Sequence, residues 1–454
     1  MFKKILIANR GEIALRIIRA CRELKIKTVA VYSECDNLSL HAKFADEAIC
    51  IGPADSKKSY LNIPAIMSAA ELTNADAIHP GYGFLSESAE FASICTNSGV
   101  SFIGPDNDII ANMGNKSIAK QTMSSAGVPV IPGSKAIVDL KNVHGVANDV
   151  GYPVMLKASA GGGGKGMRIV YGENEIEKAF EEAKLEAELS FNNGDLYLEK
   201  YIDRPRHIEI QILADKHGNV VGLGERECSI QRRHQKILEE SPSVAIDDNL
   251  RLRMNESAVE AAKACSYIGA GTIEFLLDAN GNYYFMEMNT RIQVEHPVTE
   301  MVLGIDLIKY QIMCHANHKL PDWMHSLKPR GHAIECRINA ENPAKNFMPS
   351  PGLISSFHMP GGMNIRVDTH VYAGYRVPSN YDSMIAKLIV HGLNREDAIN
   401  KMMAALDEFV IEGIETIIPY HKQILNNDNF KNGNFDTSFI ENFEYVKEYD
   451  NASA

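Results

Sequence analysis

Several features are absent from this sequence of 454 residues, and each absence excludes a class of protein. No stretch approaches the roughly 18 consecutive apolar residues that a membrane span needs, so we expect no membrane segment. The eight cysteines form no C-x-x-C pair, which indicates reduced thiols and a cytoplasmic location. The formal net charge of −12 argues against a nucleic-acid surface, because phosphate binding depends on clustered lysine and arginine. Small molecules or other proteins are therefore the expected partners.

Length and hydrophobic pattern, by contrast, predict several domains. A chain this long exceeds one ordinary hydrophobic core, so two or three domains are expected. Up to about residue 115, short apolar runs alternate with amphipathic helical stretches, which is typical of a parallel sheet covered by helices. The first apolar run is followed by Asn9-Arg10-Gly11-Glu12, which lacks the glycine fingerprint of nicotinamide-binding folds. We therefore predict a Rossmann-like N-terminal region without a dinucleotide site.

A glycine-rich segment, KASAGGGGKGMR, begins at Lys157 and ends at Arg168. The apolar runs on both sides of it indicate strands, whereas a dinucleotide fingerprint needs a helix after the glycines. A Walker loop needs Gly-Lys followed by Ser or Thr, but here Lys165 is followed by Gly166. The segment therefore predicts a hairpin whose backbone amides close over phosphates, with Lys157 nearby to meet their charge. A mobile surface turn is the alternative interpretation.

The strongest chemical signal lies in GTIEFLLDANGNYYFMEMN, two apolar runs with a turn between them. Asn280-Gly281 predicts a two-residue hairpin turn, which would set Glu274 directly opposite Glu287. Two carboxylates at that range repel by about 4 kcal/mol in a surface-like dielectric. Such a hairpin needs a cation. Mg²⁺ suits it, because this ion takes one or two carboxylates and leaves its other positions for phosphate oxygens and water.

The second of these strands is predicted to continue with alternate side chains on one face. That face would carry two carboxylates, two amides and a guanidinium, from Glu287, Asn289, Arg291, Gln293 and Glu295. A solvated strand face is the alternative, since antiparallel sheets commonly have one. The opposite face is apolar and the polar row holds few generic lysines or serines, which favours a functional site.

Longer strings resemble those of one enzyme family. The segments ANRGEIALRI, HPGYGFLSE, QRRHQK, EMNTRIQVEHPVTE, CRINAE and NYDSMIAKLI occur in this order along the chain. With the hairpin and the glycine segment, they are similar to the biotin carboxylases, ATP-grasp components of biotin-dependent carboxylases. The resemblance covers residues 2 to about 445 and implies a multidomain fold, α/β and α+β. Its expected parts are a Rossmann-like domain (1–115), an ATP-grasp domain (116–330) with a glycine-loop lid (about 131–203), and a C-terminal α+β domain (331–446).

The resemblance implies an ATP site with contributions from many parts of the chain. Phosphates would be met by Lys116, Lys157 and the glycine segment of Gly161, Gly162, Gly163, Gly164, Lys165 and Gly166. Adenine would be recognised by a hinge of Glu199, Lys200, Tyr201 and Ile202, and the nucleotide side would also include His207, Gln231 and His234. Mg²⁺ or Mn²⁺ ions on the phosphates would be held by Glu274 and Glu287, with Asn289 assisting.

The resemblance also implies a bicarbonate site and a biotin site. Bicarbonate would be held by Lys236, Arg291, Gln293 and Val294. Glu295 would be the general base, because bicarbonate is a poor nucleophile and needs a carboxylate beside it to take its proton. Arg337 would stabilise the biotin enolate, and Tyr82 would lie near the biotin end of the cleft. The implied reaction uses ATP and bicarbonate to form carboxyphosphate and then carboxybiotin.

The chain contains no Met-Lys pair, whereas carrier domains hold biotin on a lysine between methionines. We therefore expect a stand-alone subunit that works with a separate biotin carboxyl carrier protein and carboxyltransferase subunits. Relatives of this form usually dimerise, so a homodimer is expected. Acetyl-CoA carboxylase, and with it fatty acid biosynthesis, is the first expectation for the whole complex. A two-subunit pyruvate carboxylase or a propionyl-CoA system is the alternative.

Two other functions stay open on the sequence. Another bicarbonate-using ATP-grasp ligase would share the hairpin and the glycine segment. It should lack HPGYGFLSE together with Arg337, and it would not respond to biotin. A non-catalytic ATP-binding protein is disfavoured, because the metal, guanidinium and base residues of the hairpin region are all present.

Overall fold

The computed structural model describes residues 1–134, 137–159, 166–191 and 193–447, which form two compact units. The larger unit comprises Met1–Val128, Arg206–Phe275 and Glu287–Ala454, and the smaller unit comprises Pro129–Pro205 and Leu276–Met286. Among the described residues, no helix has the length and apolar character to cross a bilayer.

A five-stranded parallel sheet opens the larger unit, in the order β3-β2-β1-β4-β5. Its strands are β1 (Lys4–Ile7), β2 (Lys27–Tyr32), β3 (Glu47–Cys50), β4 (Ala77–His79) and β5 (Ser101–Phe102). The helices among them are α1 (Gly11–Glu23), α2 (Leu40–Phe44), α3 (Ile63–Thr73) and α4 (Ala89–Asn97). On α1, Ile13, Ile17 and Ile18 recur at helical spacing and are buried. The predicted Rossmann-like pattern is confirmed.

An eight-stranded sheet forms the rest of the framework, in the order β13-β12-β9-β10-β11-β14-β21-β19. Its strands are β9 (Arg206–Ala214), β10 (Val220–Arg232), β11 (Gln235–Ser241), β12 (Gly269–Leu277), β13 (Tyr283–Asn289), β14 (His332–Asn339), β19 (Ile365–Thr369) and β21 (Met384–Gly392). From β9 through β19 the neighbouring strands are antiparallel. Because β11 pairs with β14, the residues on both sides of the boundary predicted near 330 share one sheet, and the exact domain limits stay predictions.

Helices and short strands complete the larger unit. Its remaining helices are α5 (Asn107–Gly114), α6 (Lys116–Ser125), α9 (Asp248–Ala264), α10 (His296–Leu303), α11 (Leu307–His315), α12 (Arg395–Glu408), α13 (Ile418–Asn426) and α14 (Asp428–Lys431). Its short strands are β15 (Glu341–Asn342), β16 (Met348–Pro349), β17 (Gly352–Leu353), β18 (Ser356–His358), β20 (Arg376–Val377) and β22 (Val410–Glu412). One core joins the sheet to α12 and α13 through Ile334, Leu388, Met402, Leu406 and Ile424, all buried.

The smaller unit contains a three-stranded antiparallel sheet in the order β7-β6-β8. Its elements are α7 (Val143–Val150), β6 (Val154–Ala158), β7 (Met167–Val170), α8 (Ile176–Phe191) and β8 (Leu196–Lys200). Strands β6 and β7 confirm the prediction that the glycine segment is flanked by strands. Gly161, Gly162, Gly163, Gly164 and Lys165 lie outside the described residues.

The predicted turn at Asn280-Gly281 is wrong in its length. The main-chain N–H of Asp278 donates to Asn282 O at 2.8 Å, so three residues are enclosed instead of two. The Asp278 carboxylate also accepts from the N–H groups of Asn280 and Asn282, both at 2.9 Å. These side-chain bonds favour a three-residue loop, in which Gly281 takes the left-handed conformation with φ +80°.

The prediction that the strand continues to Glu295 is also wrong, because β13 ends at Asn289. The main-chain N–H of Thr290 donates to Glu87 Oε1 at 3.2 Å, so this N–H does not pair with a neighbouring strand. Residues 290–295 form bends and a turn that lead into α10. The predicted polar row is therefore brought together by a folded-back segment and not by strand alternation.

Candidate active site

Lys236 lies at the centre of a cluster of buried charges in the larger unit. Its ammonium donates to Glu209 Oε2 at 2.5 Å, Glu274 Oε1 at 2.8 Å and Glu295 Oε1 at 2.6 Å. The three carboxylates come from β9, from β12 and from the residue that precedes α10. One ammonium does not balance three carboxylates, and the guanidinium groups of Arg226 and Arg337 supply further positive charge.

Burial and neighbouring charges together set the protonation of this cluster. Burial opposes ionisation of Glu295, but the charges of Lys236 and Arg337 outweigh it and hold the pKa of Glu295 well below its ordinary value. Burial likewise opposes ionisation of Glu274, and Lys236 again holds its pKa well below the ordinary value. Burial also works against the charged form of Lys236, yet the carboxylates raise its pKa well above the usual range. Glu274, Glu295 and Lys236 are therefore charged near neutral pH.

Arg226 on β10 is wholly buried beneath this cluster. All five of its N–H donors have acceptors, which lie on Glu209, Gln211, Thr272, Gln293 and Thr299. The guanidinium thereby fixes Glu209, which contacts Lys236, and Gln293, which donates to Glu274 Oε1 at 2.8 Å. Sequence reasoning missed Arg226.

Three oxygen-bearing side chains lie together at the predicted metal position. Asn289 Nδ2 donates to Glu274 Oε1 at 2.9 Å, and Glu287 precedes Asn289 by two residues in β13, so the three share a face. Burial raises the pKa of Glu287 and the charge of Glu274 adds to this, with Lys116 as an opposing influence. The charge of Glu274 thus acts against ionisation of Glu287. Two carboxylates and an amide are ligands that Mg²⁺ accepts, whereas their exact cross-strand opposition stays a prediction.

His207 on β9 lies beside the same carboxylates. Gln231 Nε2 donates to His207 Nδ1 at 2.7 Å, and His207 Nε2 lies 2.9 Å from Glu274 Oε2. Ligand-type atoms of His207, Glu209 and Glu274 all fall within 4.8 Å of one another. Sequence reasoning missed Glu209, although the alternation of polar and apolar residues in HIEIQI places it on the face of His207.

Arg291 donates to three oxygen acceptors at the edge of the site. Its Nε donates to Glu87 Oε2 at 2.9 Å, its Nη2 to Asn289 Oδ1 at 2.9 Å and its Nη1 to Ile292 O at 3.2 Å. The first contact joins residues 204 positions apart in the chain; Glu87 ends the HPGYGFLSE string, although the sequence analysis gave it no role. Arg291 thus contacts Asn289, one of the three residues at the predicted metal position.

Arg337 on β14 joins the base expected at Glu295 to a second buried carboxylate. Its Nε donates to Glu239 Oε1 at 2.6 Å, and its Nη2 donates to Glu295 Oε2 at 3.0 Å. Glu295 thus receives Lys236 on one oxygen and Arg337 on the other. Glu239 was missed by the sequence reasoning.

Tyr82 lies in the HPGYG loop, which Asn9 fastens to the first sheet. Asn9 Nδ2 donates to Pro80 O at 2.6 Å and to Tyr82 O at 2.7 Å. The Tyr82 hydroxyl donates to Glu12, which is buried on α1. Tyr82 is thus fixed through both its main-chain carbonyl and its side-chain hydroxyl.

Two further residues expected on the nucleotide side lie at element ends. Lys116 begins α6, where the Asn115 side chain accepts the N–H groups of Ser117 and Ile118. His234 lies with Arg233 in the two-residue turn between β10 and β11, with φ of +64° and +50°. Lys116 and His234 are both exposed, so their side chains are open to a ligand.

The smaller unit holds the remaining expected nucleotide contacts. Lys157 Nζ donates to Glu199 Oε2 at 2.7 Å across the pairing of β6 and β8. Lys200 Nζ donates to Gly151 O at 2.8 Å and to Tyr152 O at 2.9 Å, which fixes the end of β8. Tyr201 and Ile202 follow directly. Gly166 takes the left-handed conformation with φ +68° at the start of β7.

Three family models match the chain, which confirms the expected architecture. The N-terminal domain of biotin carboxylase matches residues 1–110, and the C-terminal domain of biotin carboxylase matches residues 335–442. Between them, the ATP binding domain of the carbamoyl-phosphate synthase L chain matches residues 115–323.

Known proteins are similar over nearly the whole chain. Biotin carboxylase 1 of Bacillus subtilis (strain 168) is 57% identical over 448 residues, which cover 98% of this chain and 100% of that protein. One of the pyruvate carboxylase subunits of Methanothermobacter thermautotrophicus is 51% identical over 444 residues, which cover 98% of this chain and 90% of that protein.

A solved structure supports the same assignment. The biotin carboxylase domain dimer of Hydrogenobacter thermophilus 2-oxoglutarate carboxylase, in complex with MgADP, ADP and bicarbonate, superposes with a TM-score of 0.89. It is 48% identical in sequence, and the match covers 98% of this chain and 100% of that one. The chain belongs to the biotin carboxylase family of ATP-dependent ligases.

Proposed function

We propose that this biotin carboxylase carboxylates biotin on a separate carrier protein, as the first half-reaction of an acetyl-CoA carboxylase. The observation that carries the mechanism is the position of Glu295, which contacts Lys236 and Arg337 through different oxygens. One carboxylate thus touches the cation proposed for bicarbonate and the cation proposed for biotin.

Proton removal from bicarbonate is the proposed task of Glu295. Lys236 and Arg291 would bind the bicarbonate anion, with Gln293 and the Val294 backbone beside them. The anion offsets part of the charge of Lys236, and this raises the proton affinity of Glu295 at the moment when it must act as a base. Deprotonated bicarbonate then attacks the γ-phosphorus of ATP, and ADP leaves with the electrons of the broken P–O bond.

The charge of the phosphates needs several positive groups. Glu274, Glu287 and Asn289 would hold Mg²⁺ or Mn²⁺, which when bound supplies positive charge against the phosphate oxygens. Lys116 and Lys157 are proposed as further phosphate contacts, from their place in the family motif. Their ammonium groups act as compact point charges.

Arg337 is proposed to serve the biotin step. Carboxyphosphate breaks down to CO₂ and phosphate, and the phosphate takes the proton from biotin N1. The enolate that results is an anion in a partly dry site, and a fixed guanidinium beside it lowers its energy. Glu239 holds Arg337 from the far side at 2.6 Å, so the guanidinium is oriented in advance. Tyr82 would contact biotin at the same end.

The proposed partners are a biotin carboxyl carrier protein and carboxyltransferase subunits, in the cytoplasm, where reduced cysteines are the rule. A homodimer is proposed as well, supported by the dimer of the 2-oxoglutarate carboxylase relative. The pyruvate carboxylase relative, which is 51% identical, favours a second candidate, in which this chain serves a two-subunit pyruvate carboxylase.

The first experiment measures ADP release by the purified chain with Mg-ATP and bicarbonate, with and without free biotin. We expect stimulation by biotin, and a loss of about 10²-fold or more in Glu295→Gln and Arg337→Ala. Glu408→Gln and Arg376→Ala, both at exposed positions, are the matched controls. Bicarbonate-dependent turnover that is indifferent to biotin would instead indicate another ATP-grasp ligase.

A second experiment separates the two complexes. The chain is mixed with the carrier and carboxyltransferase subunits of acetyl-CoA carboxylase, or with the biotin-bearing subunit of a two-subunit pyruvate carboxylase. We expect acetyl-CoA-dependent turnover in the first mixture. Pyruvate-dependent turnover in the second mixture alone would favour the alternative.

A further inference from the structure

Lys387 is a buried cation that the mechanism above does not use. It lies in the NYDSMIAKLI string, near the middle of β21, and its side chain is fully buried. Across the sheet it stands directly opposite Arg337 on β14 and Asp368 on β19. Two cations in cross-strand register are ordinarily destabilising. The presence of lysine at this position therefore needs a reason.

The ammonium of Lys387 has two identified contacts. It donates to the main-chain carbonyl of Val294 at 2.8 Å, and it lies 3.4 Å from Glu12 Oε2. Glu12 in turn accepts the hydroxyl of Tyr82 through its other oxygen. A line of polar contacts thus runs from the segment before α10, through Lys387 and Glu12, to the HPGYG loop.

A counter-ion role for Glu12 does not account for the lysine. Burial raises the pKa of Glu12 to about 7, even though Lys387 opposes this shift. Burial therefore outweighs the attraction of Lys387 at Glu12, and this pair alone gives little return for burying the lysine. Asp368 stands in register with Lys387 and supplies some opposite charge, but a buried ammonium is costly even beside carboxylates, and an apolar side chain would fill the position without that cost. The hydrogen bond to the Val294 carbonyl needs a donor, which an apolar side chain lacks.

Val294 lies between two residues of the bicarbonate site. Gln293 donates to Glu274, and Glu295 receives Lys236 and Arg337. Val294 and Glu295 form a turn that Gln293 leads into, and none of the three lies in a strand of the described structure. Lys387 holds this turn from the side of the sheet, and His296 Nδ1 contacts Gln293 O at 2.8 Å from the side of α10.

We propose that Lys387 is a positioning residue of the carboxylation reaction, which fixes the Val294 carbonyl and thereby sets Gln293 and Glu295 around bicarbonate. Through Glu12 the same ammonium steadies Tyr82 at the biotin end. The inference rests on the function proposed above. It adds a residue that touches no substrate and acts through the main chain of the site.

The test compares Lys387→Met with Lys401→Met in steady-state kinetics. Lys401 on α12 also donates to a main-chain carbonyl, that of His391 at 2.7 Å, and its ion pair is with Asp397, which is not part of the charge cluster around Lys236. For Lys387→Met we expect the KM for bicarbonate to rise roughly tenfold or more and kcat to fall, with the KM for ATP changed less than about twofold. Lys401→Met should leave all three values near those of the wild type.

A second variant guards against loss of folding. Lys387→Met leaves Glu12 buried without its cation, so the double variant Glu12→Gln/Lys387→Met removes both charges together. This double variant should regain the thermal stability lost in Lys387→Met but keep the raised KM for bicarbonate. Glu12→Gln alone retains the Val294 contact, and it should raise the KM for free biotin while the KM for bicarbonate stays near the wild-type value.

Several results would overturn the proposal. A folded Lys387→Met or double variant with the wild-type KM for bicarbonate would do so, and so would equal changes in the KM for ATP and for bicarbonate. If neither variant folds, a raised KM for bicarbonate in Glu12→Gln would also contradict it, because that protein keeps the lysine. Failure of the proposed function itself is recognised separately, as wild-type turnover that biotin does not stimulate.

Discussion

Glu239 and Glu240 are consecutive residues of β11 whose side chains point to opposite faces of the sheet and meet different partners. Glu239 accepts Arg337 on the side of the active site. Glu240 accepts His332 Nε2 at 2.7 Å and Arg395 Nε at 2.7 Å on the other side. Burial works against ionisation of both, yet His332 and Arg395 lower the pKa of Glu240 to about 2, while the pKa of Glu239 is raised to about 7.

These opposite shifts predict opposite pH dependences of stability. The ionised Glu240 side chain stabilises the fold at pH values above its unfolded pKa of 4.5, and this stabilisation is lost as the pH falls towards 2. Glu240→Gln should therefore lower the free energy of unfolding by about 3 kcal/mol at pH 7 and by less below pH 4.5. The stabilisation from the neutral Glu239 side chain is fully present below pH 4.5 and is lost as the pH rises through 7, because the buried group then ionises. The free energy of unfolding of Glu239→Gln should therefore rise relative to that of the wild type over this range. Urea unfolding at several pH values measures both, and parallel trends in the two variants would contradict the assignment.

Removal of either proposed metal carboxylate should weaken the response to Mg²⁺. We expect Glu274→Gln and Glu287→Gln to raise the Mg²⁺ concentration for half-maximal ADP release about tenfold or more. Without the metal, Glu287→Gln should be at least as stable as the wild type, because it removes the repulsion with Glu274. Glu260→Gln on the exposed side of α9 is the control. An unchanged Mg²⁺ titration in both variants would exclude the pair as ligands.

Lys157 provides a test within the smaller unit. Lys157→Met should raise the KM for ATP by about tenfold or more, because a phosphate contact would lose its charge. Lys178→Met on α8, where the side chain is 84% exposed, removes a charge from the same unit without that effect. A KM for ATP that rises equally in both variants would indicate a general charge effect in place of a contact.

Arg226→Lys should be strongly destabilising. Lysine supplies three donors from one point in place of five from a planar fork, so Glu209, Gln293 and the neighbouring acceptors would lose partners inside the protein. We expect a loss of about 3 kcal/mol or more in the free energy of unfolding, measured in urea. Arg376→Lys, at an exposed position of β20, should change it by less than about 0.5 kcal/mol.

Local patterns in the sequence predicted the secondary structure well where neighbouring residues decide the conformation. The buried face of α1 follows from helical spacing, and the strands around the glycine segment follow from apolar runs. The opposition of Glu274 and Glu287 was predicted from a two-residue turn. The loop has three residues because its length depends on the hydrogen bonds of the Asp278 side chain, so that opposition stays a prediction.

Contacts between residues far apart in the chain determine the features that the sequence did not predict. The end of β13 depends on Glu87, which takes the N–H of Thr290 from 203 residues away. Glu209, Arg226 and Lys387 were missed for a related reason. Each lies in a buried strand where a charged residue has no local partner, so its role becomes visible only when other strands are in place. The family resemblance supplied the residues proposed to touch substrates, but not the residues that contact and fix them.

The five acceptors of Arg226 also bear on how the protein folds. They lie on β9, on β12, in the segment before α10 and on α10 itself, so the guanidinium is satisfied only when all of these parts have come together. A partly assembled sheet would enclose an unmatched charge and is disfavoured for that reason. We therefore expect the central strands to open together in hydrogen exchange, as one cooperative unit, so that a half-formed active site is rarely populated.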